Sequence, residues 1–297
     1  MLRCSAMITH LMFAGFRQLS IHDAAQGAAI PVLVFYPTEL PATTVTLGPY
    51  QFEVSPDAPI AQGSYPIAVI SHGSGGTHIL YRTIAMHLAK NGYVVAVPEH
   101  PGNNRLDNSL YGTVDNLVNR PRHVKLVIDT LIADAELGPI VEKDKAAVIG
   151  HSMGGYTALA VAGGTPWSRE GKPVAVETDA RVRAIVLLAP ATAWYQPENA
   201  LEGVKVPILM MTGEHDDVTP QWHADLVLDR VPERERVHFR VVENAGHFSF
   251  LSPFPLKLKA GGFAPTLDPE GFDREAFHEE LPEEIRQFLD RYLKFAG

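Results

Sequence analysis

Short runs of apolar residues recur along this chain and limit the folds that it can adopt. Residues 67–70 read Ile-Ala-Val-Ile and residues 94–97 read Val-Val-Ala-Val, with no polar residue at alternate positions. A strand that is apolar on both sides suits a parallel sheet covered on both faces. Short apolar runs predict strands at 32–36, 67–70, 94–97, 145–149, 183–188 and 206–212, and a further strand is predicted at 237–242.

Helical patterns separate these strands. Val124, Val127, Ile128, Leu131 and Ile132 recur at the spacing that places them on one helix face, and Pro121 suits a first turn. Asn91-Gly92 predicts a left-handed helix end. Helices are expected at 79–90, around 124–132, and at 156–162, 222–229 and 282–295.

Alternating strands and helices predict an α/β protein with a mostly parallel central sheet and helices on both faces. We expect one domain over residues 1–297, with excursions near 101–120 and 253–280 that shape or cover a pocket. Residues 41–63 hold four prolines and are expected to form a surface connection. Ligands of such sheets bind at the carboxyl ends of the strands, so the residues just after each strand matter most.

Composition and charge exclude several classes of protein. The 297 residues are 46% hydrophobic and 20% charged, which is typical of a globular protein. A formal net charge of -9 repels phosphate backbones and anionic lipid, so we expect neither a nucleic-acid partner nor stable membrane association. The histidines show no metal-ligand spacing and no nucleotide motif opens a helix, so no metal or cofactor is predicted. Oligomeric state is not predicted.

The amino terminus favours a cytoplasmic location. Residues 1–13 contain one basic residue, and residues 7–14 form a short semi-apolar run interrupted by His10. A secretion signal needs a longer apolar run and a small-residue cleavage site, although this segment does not exclude secretion. The only cysteine, Cys4, allows no disulfide within the chain and is a poor candidate for a catalytic thiol.

Gly150-His151-Ser152-Met153-Gly154 follows one predicted strand and precedes a predicted helix. In a G-x-S-x-G turn the serine occupies a strained position, and the two glycines let the backbones pass without a clash. The turn lifts the serine hydroxyl above the sheet, and the helix amino terminus favours developing negative charge. Ser152 is therefore the predicted nucleophile.

A nucleophilic serine needs a general base. His247 is preferred because it lies in the Gly-containing loop just past the strand at 237–242. His223 and His278 fall on helical patterns and are expected to face solvent. His238 lies inside a strand, and His215 precedes the acid candidates.

Three carboxylates follow the strand at 206–212 and compete to orient that base. Asp216 is the first choice. Asp217 is the second and is also a candidate cap for the helix beginning near Pro220, whereas Glu214 comes too early in the turn.

Acyl transfer also needs two donors for an oxyanion. The amide of Met153, directly after the nucleophile, is one candidate. The Gly-rich residues 72–76 follow the strand at 67–70, and the Ser74 amide is the preferred second donor. His100 is expected to be structural, with the pocket mouth as its alternative position. Trp194 and Tyr195 either wall the site or only pack.

These motifs resemble the α/β-hydrolase superfamily. Residues 71–76, 97–102 and 271–278 are more specifically similar to predicted dienelactone-hydrolase and platelet-activating-factor acetylhydrolase-like serine esterases. The resemblance extends from about Gly15 to the end. It implies Ser152, Asp216 and His247 as the triad, and Ser74 and Met153 as oxyanion donors. Dienelactone hydrolases use a cysteine nucleophile, so Ser152 departs from their mechanism.

The expected function is serine carboxylic-ester hydrolysis through an acyl-enzyme, on small esters with short acyl chains. A lactone hydrolase or a phospholipid-type acetylhydrolase with the same triad is the alternative, and a non-catalytic binding protein is the alternative of another class. The polar composition of 101–120 favours a small pocket. Leu110, Val114, Leu117 and Val118 also lie at helical spacing, which would suit the apolar face of a lid.

Overall fold

The computed structural model describes residues 11–295, and all ten strands in this part of the chain belong to one sheet. The strands are β1 (Phe13–Asp23), β2 (Ala28–Thr38), β3 (Thr43–Leu47), β4 (Tyr50–Pro56), β5 (Tyr65–Ser71), β6 (Val94–Pro98), β7 (Val141–His151), β8 (Val182–Leu188), β9 (Ile208–Gly213) and β10 (Val237–Val242). Their order is β10-β9-β8-β7-β5-β6-β2-β1-β4-β3. All neighbours from β10 to β6 are parallel, while β2 pairs antiparallel with β6 and β1.

Six helices accompany the sheet within residues 11–295. They are α1 (Arg82–Lys90), α2 (Val114–Ala133), α3 (Met153–Val161), α4 (Trp222–Arg230), the short α5 (Leu256–Lys259) and α6 (Arg274–Leu289), which continues as a π-helical turn over Asp290–Lys294. Gly92 follows α1 at φ 80°, so the predicted left-handed helix end is confirmed.

Two apolar cores lie on opposite faces of the sheet. Ile67 and Val69 of β5 join one core with residues of α2, α3 and α4, while Ala68 and Ile70 join the other with α1 and α6. Alternate side chains of a strand point to opposite faces, so a continuously apolar run contributes to both cores. The predicted mostly parallel sheet with helices on both faces is confirmed.

Several predicted boundaries are wrong. Residues 41–63, expected to form a surface connection, hold all of β3 and β4. The helix expected around 124–132 begins at Val114, where the Thr113 hydroxyl accepts the Asn116 amide, so Pro121 lies inside it. The last helix begins at Arg274 and places Pro282 in its interior. Both helices begin after a capping residue, because the side chains of Thr113 and Asp273 accept hydrogen bonds from backbone amides of the first helical turn.

Helices take up part of each predicted excursion, 101–120 and 253–280. Residues 114–120 belong to α2, and Leu117 and Val118 pack on the core, so no apolar lid face forms there. In the second segment, α6 already begins at Arg274. The predictions for Cys4 and for the amino-terminal signal fall largely on residues 1–10, outside the described residues. Within residues 11–295, no helix has the length and apolar character needed to cross a bilayer.

Candidate functional site

Ser152 lies in a strained turn between β7 and α3. Its backbone has φ 54° and ψ -117°, a conformation that non-glycine residues rarely adopt. A Cβ at Gly150 would overlap the Gly154 carbonyl, and a Cβ at Gly154 would overlap the Ser71 carbonyl of β5. The two glycines are therefore what permits the close crossing that presents Ser152 at the carboxyl edge of the sheet.

His247 and Asp216 form a buried hydrogen-bonded pair. His247 begins a short 3₁₀ turn after β10, and Asp216 follows β9. The distance from His247 Nδ1 to Asp216 Oδ2 is 2.9 Å. An ionised carboxylate only accepts, so Nδ1–H donates to Asp216 and His247 Nε2 is left as the unprotonated nitrogen. This is the tautomer that a general base requires.

The Asp216 carboxylate also accepts three hydrogen bonds from its own loop. Oδ1 accepts the amides of Val218 (2.9 Å) and Thr219 (2.8 Å), and Oδ2 accepts the Thr219 hydroxyl (2.8 Å). Burial alone would raise the pKa of Asp216, but the hydrogen bonds from His247 and Thr219 outweigh it and leave this pKa below its ordinary value. The carboxylate therefore remains charged at neutral pH.

Ser152 and His247 both line one cavity of about 460 Å³. Among the hydrogen bonds of the described residues, none joins Ser152 Oγ to His247. Such bonds are often long in a ligand-free site and tighten when substrate binds. The structure thus brings the predicted nucleophile and base to the same cavity, with Asp216 buried behind the base.

The two predicted oxyanion donors lie at the same edge. Met153 is the first residue of α3, where amides have no partner within a helix. Ser74 lines the cavity, and a Cβ at the preceding Gly73 would lie 3.2 Å from Ser152 Cβ. Neither the Met153 nor the Ser74 amide donates a hydrogen bond to another group of residues 11–295.

Seven of the residues that line the cavity have phenylalanine, tyrosine or tryptophan side chains. They are Tyr50, Tyr81, Tyr111, Trp194, Phe248, Phe254 and Phe263. Tyr111 and Phe263 are more than half exposed and belong to the two excursion segments. Arg105 is the only arginine, lysine, aspartate or glutamate among the described residues that line this cavity. The site therefore suits a largely apolar ligand.

The remaining acid candidates lie apart from His247. Asp217 is exposed and does not cap α4, whose N-cap position is Gln221. The alternative role given to Asp217 is thus wrong. Glu214 is also exposed and accepts the Asn244 amide at 2.9 Å.

Two histidines expected to face solvent are buried instead. His223 lines the cavity and accepts the Thr192 amide at Nδ1 (2.9 Å), and burial lowers its pKa to about 4. His278 lies 2.9 Å from the Thr83 hydroxyl and 3.1 Å from the Ser249 carbonyl. Both lie on helices as predicted, but the helix faces were misjudged because polar partners in other segments satisfy these rings.

His100 is fully buried and does not line the cavity, in agreement with a structural role. Trp194 lines the cavity, whereas Tyr195 packs in the core and donates to the Tyr156 carbonyl. Roles for Tyr81, His151 and Thr219 were not predicted from the sequence, although all three line the cavity. His151 links Tyr81, 3.0 Å away, to the His247 carbonyl, 2.9 Å away. Burial is the main cause that lowers the pKa of His151 to about 3.

The described residues contain no group of three His, Cys, Asp or Glu side chains placed to hold a metal ion.

Family models match two overlapping parts of the chain. The model described as platelet-activating factor acetylhydrolase, isoform II, matches residues 38–114, and the model of the prolyl oligopeptidase family matches residues 80–167. The second match includes the Ser152 turn.

Curated relatives show low identity over part of the chain. Cutinase 2 of Thermobifida cellulosilytica is 25% identical over 194 residues, which cover 64% of this chain and 63% of the cutinase. The platelet-activating factor acetylhydrolase of Canis lupus familiaris is 25% identical over 147 residues, which cover 35% of this chain and 33% of that protein. The chain thus spans between a third and two thirds of the length of these relatives.

A solved structure matches almost the whole chain. The ferulic acid esterase from Streptomyces cinnamoneus aligns with a TM-score of 0.71, covering 99% of this chain and 93% of the esterase at 19% identity. This chain has the α/β-hydrolase fold. The resemblance of this chain to serine esterases, expected from its motifs, is confirmed by these relatives.

The close crossing at Gly154 can be tested by adding one methyl group. Gly154→Ala should destabilise the protein, because its Cβ would overlap the Ser71 carbonyl, and neither backbone can move without shifting β5 or α3. Gly261→Ala is the control, since its Cβ would meet only the Leu258 carbonyl at 3.5 Å. Urea unfolding should show a lower midpoint for Gly154→Ala alone. Equal midpoints would contradict the crossing.

Proposed function

We propose that this α/β-hydrolase is a serine carboxylic-ester hydrolase, with Ser152 as nucleophile, His247 as general base and Asp216 as the orienting carboxylate. The observation that carries the proposal is the hydrogen-bonded Asp216–His247 pair, which faces the cavity lined by Ser152. The relatives named as cutinase, ferulic acid esterase and platelet-activating factor acetylhydrolase lend further support.

The proposed reaction runs in two halves. Ser152 Oγ attacks the ester carbonyl carbon while its proton passes to His247 Nε2, and the carbonyl oxygen becomes an oxyanion held by the Met153 and Ser74 amides. The C–O bond to the alcohol then breaks, and His247 returns the proton to the leaving oxygen. Water activated by His247 attacks the resulting acyl-enzyme and releases the acid. Asp216 holds the tautomer of His247 and stabilises its charged form.

The cavity supports a small ester as the substrate. A volume of about 460 Å³ lies in the lower half of the range usual for small-molecule sites. Leu117 and Val118 pack on the core, so they do not supply the apolar face of an amphipathic lid such as a lipase uses. The same site also suits a lactone or the acetyl ester of a phospholipid, and a hydrolysis panel distinguishes these substrates. A purely binding role would not explain the two unpartnered amides or the ordered orientation of His247.

Replacing the nucleophile should abolish turnover. Ser152→Ala is expected to lower kcat for a nitrophenyl ester by about 10⁴-fold or more while the fold remains intact. A fluorophosphonate should label Ser152 of the parent protein, and thiol reagents should leave the activity unchanged. Full activity of Ser152→Ala would contradict the assignment.

The neighbouring aspartates provide a matched pair. Asp216→Asn should lower kcat by about a thousandfold, because the amide no longer fixes the His247 tautomer or compensates its charge. Asp217→Asn should have little effect, since Asp217 is exposed and makes no bond to His247. The measurement is kcat of both variants from steady-state kinetics. A larger loss of kcat in Asp217→Asn than in Asp216→Asn would mean that Asp217 is the orienting carboxylate.

Substrate preference should follow the cavity volume. Among nitrophenyl esters from acetyl to palmitoyl, kcat/KM should be highest between acetyl and hexanoyl. A buried CH₂ contributes about 0.8 kcal/mol only where an apolar channel receives it. A maximum at ten carbons or longer, or activation by lipid droplets, would overturn the small-pocket interpretation.

A further inference from the structure

The carbonyl group of the peptide between Gly73 and Ser74 is held by hydrogen bonds in the protein interior. The Gly73 carbonyl accepts three hydrogen bonds, from His72 Nδ1 (2.7 Å), the Gly76 amide (3.1 Å) and Arg120 Nη2 (3.4 Å). The peptide is trans, as are all those of residues 11–295. The C=O and N–H of a trans peptide point in opposite directions, so fixing the carbonyl in the interior directs the Ser74 N–H away from it.

Arg120 is the unusual member of this cluster. Its side chain is fully buried, and no carboxylate of residues 11–295 pairs with it. The guanidinium is surrounded by neutral acceptors instead: the His72 carbonyl at 2.8 Å, Asn103 Oδ1 at 2.8 Å, and the hydroxyls of Ser71 and Thr157 at 3.3 and 3.4 Å. Burial lowers the pKa of Arg120 to about 9, so it is still charged at neutral pH.

A buried cation without an acid partner is costly, and replacement by apolar residues is often tolerated or stabilising. Stability therefore gives no reason for an arginine at this position. Its contacts do give one, because two of them end on the carbonyls of His72 and Gly73, the residues that lead into the proposed oxyanion donor.

The His72 contact is also fixed in its direction. His72 Nε2 accepts the His100 amide at 3.0 Å, so the ring proton lies on Nδ1 and is donated to the Gly73 carbonyl. Burial is the largest cause that holds the pKa of His72 well below its ordinary value, and the nearby Arg120 charge adds to it. The ring is therefore neutral, and the only cation at this carbonyl is Arg120.

The other end of Gly73 is held as well. The Gly73 amide donates to the Tyr81 hydroxyl at 3.2 Å, and that hydroxyl donates to His151 Nδ1 at 3.0 Å. The second nitrogen of His151 reaches the His247 carbonyl. Both polar groups of Gly73 are thus engaged, and one of them is connected to the backbone of the proposed base.

We propose that Arg120 is a positioning residue for ester hydrolysis, which fixes and polarises the Gly73–Ser74 peptide so that the Ser74 N–H becomes an oxyanion donor. A carbonyl that accepts from a cation draws electron density from its peptide and strengthens the N–H on the opposite side. Arg120 touches neither the substrate nor Ser152. This inference rests on the proposed serine esterase function, and it gives the buried cation Arg120 a role in that site.

The test compares substitutions of Arg120 with a matched arginine elsewhere. Arg120→Met should lower kcat for nitrophenyl acetate by about 10²-fold with KM nearly unchanged, as expected when one oxyanion donor is misplaced. Arg120→Lys keeps the charge but loses the planar fork, so its loss should be about tenfold. Arg181→Met is the control, because Arg181 pairs with Asp129 and Asp179 away from the cavity.

A transition-state analogue distinguishes positioning from a structural effect. A trifluoromethyl ketone adds to the serine and forms an oxyanion, so its inhibition constant should rise in proportion to the loss of kcat/KM in both Arg120 variants. The inhibition constant of a matching amide, which stays uncharged and unreacted, should not change. Equal weakening of both inhibitors, or kcat within threefold of the parent in a folded Arg120→Met protein, would overturn the inference.

Tyr81→Phe keeps the test decisive if Arg120→Met does not fold. It removes the hydroxyl that accepts the Gly73 amide and donates to His151 Nδ1, and kcat should fall about tenfold, with the same selective weakening of the ketone. An unchanged kcat would contradict the positioning of this loop. Failure of the proposed function looks different, since the parent would then hydrolyse no ester and bind the ketone no better than the amide, which would overturn both proposals.

Discussion

The close approach of β5, β7 and α3 around Ser152 is the constraint on which the site depends. The register pairs Ser71 with Gly150, and Gly154 then passes so near the Ser71 carbonyl that no side chain fits. This contact holds Ser152 at a positive φ and leaves α3 starting at Met153 with a free amide. The residues after Ser71 lead into the loop that holds Ser74, so this one crossing positions both the proposed nucleophile and the proposed oxyanion donors.

Two buried charges flank that crossing and are compensated in different ways. Asp216 is an anion that accepts four hydrogen bonds, one of them from the side chain that it orients. Arg120 is a cation surrounded by carbonyl, amide and hydroxyl oxygens. Each charged side chain is held in place by hydrogen bonds to nearby groups. The site therefore needs little rearrangement of these groups when charge develops on a substrate.

Much of this arrangement could be predicted from local sequence. The predicted strands at 67–70 and 94–97, and residues 146–149 of a third, are apolar on both faces, and residues just after the predicted strand ends gave Ser152, His247 and the Ser74 loop. The pairing of Asp216 with His247 followed from the order of strand ends, because parallel strands bring their carboxyl ends to one edge.

The features that could not be predicted from the sequence depend on contacts between segments that are distant along the chain. β3 and β4 form a hairpin within a proline-containing stretch, where composition outweighed their short alternating pattern. His223 and His278 are polar residues on buried helix faces, satisfied by Thr192 and Thr83 from other segments. Arg120 is the last residue of the predicted excursion at 101–120, and only the tertiary structure reveals that it is buried among carbonyl groups.

The acyl-enzyme is the most direct test of the proposed chemistry. The protein should be mixed with nitrophenyl butyrate, quenched in acid within milliseconds, digested, and analysed by mass spectrometry. The account predicts a butyryl group on Ser152, formed at the rate of the first nitrophenol burst and absent from Ser152→Ala. Hydrolysis at an undiminished rate without any acylated Ser152 would contradict it.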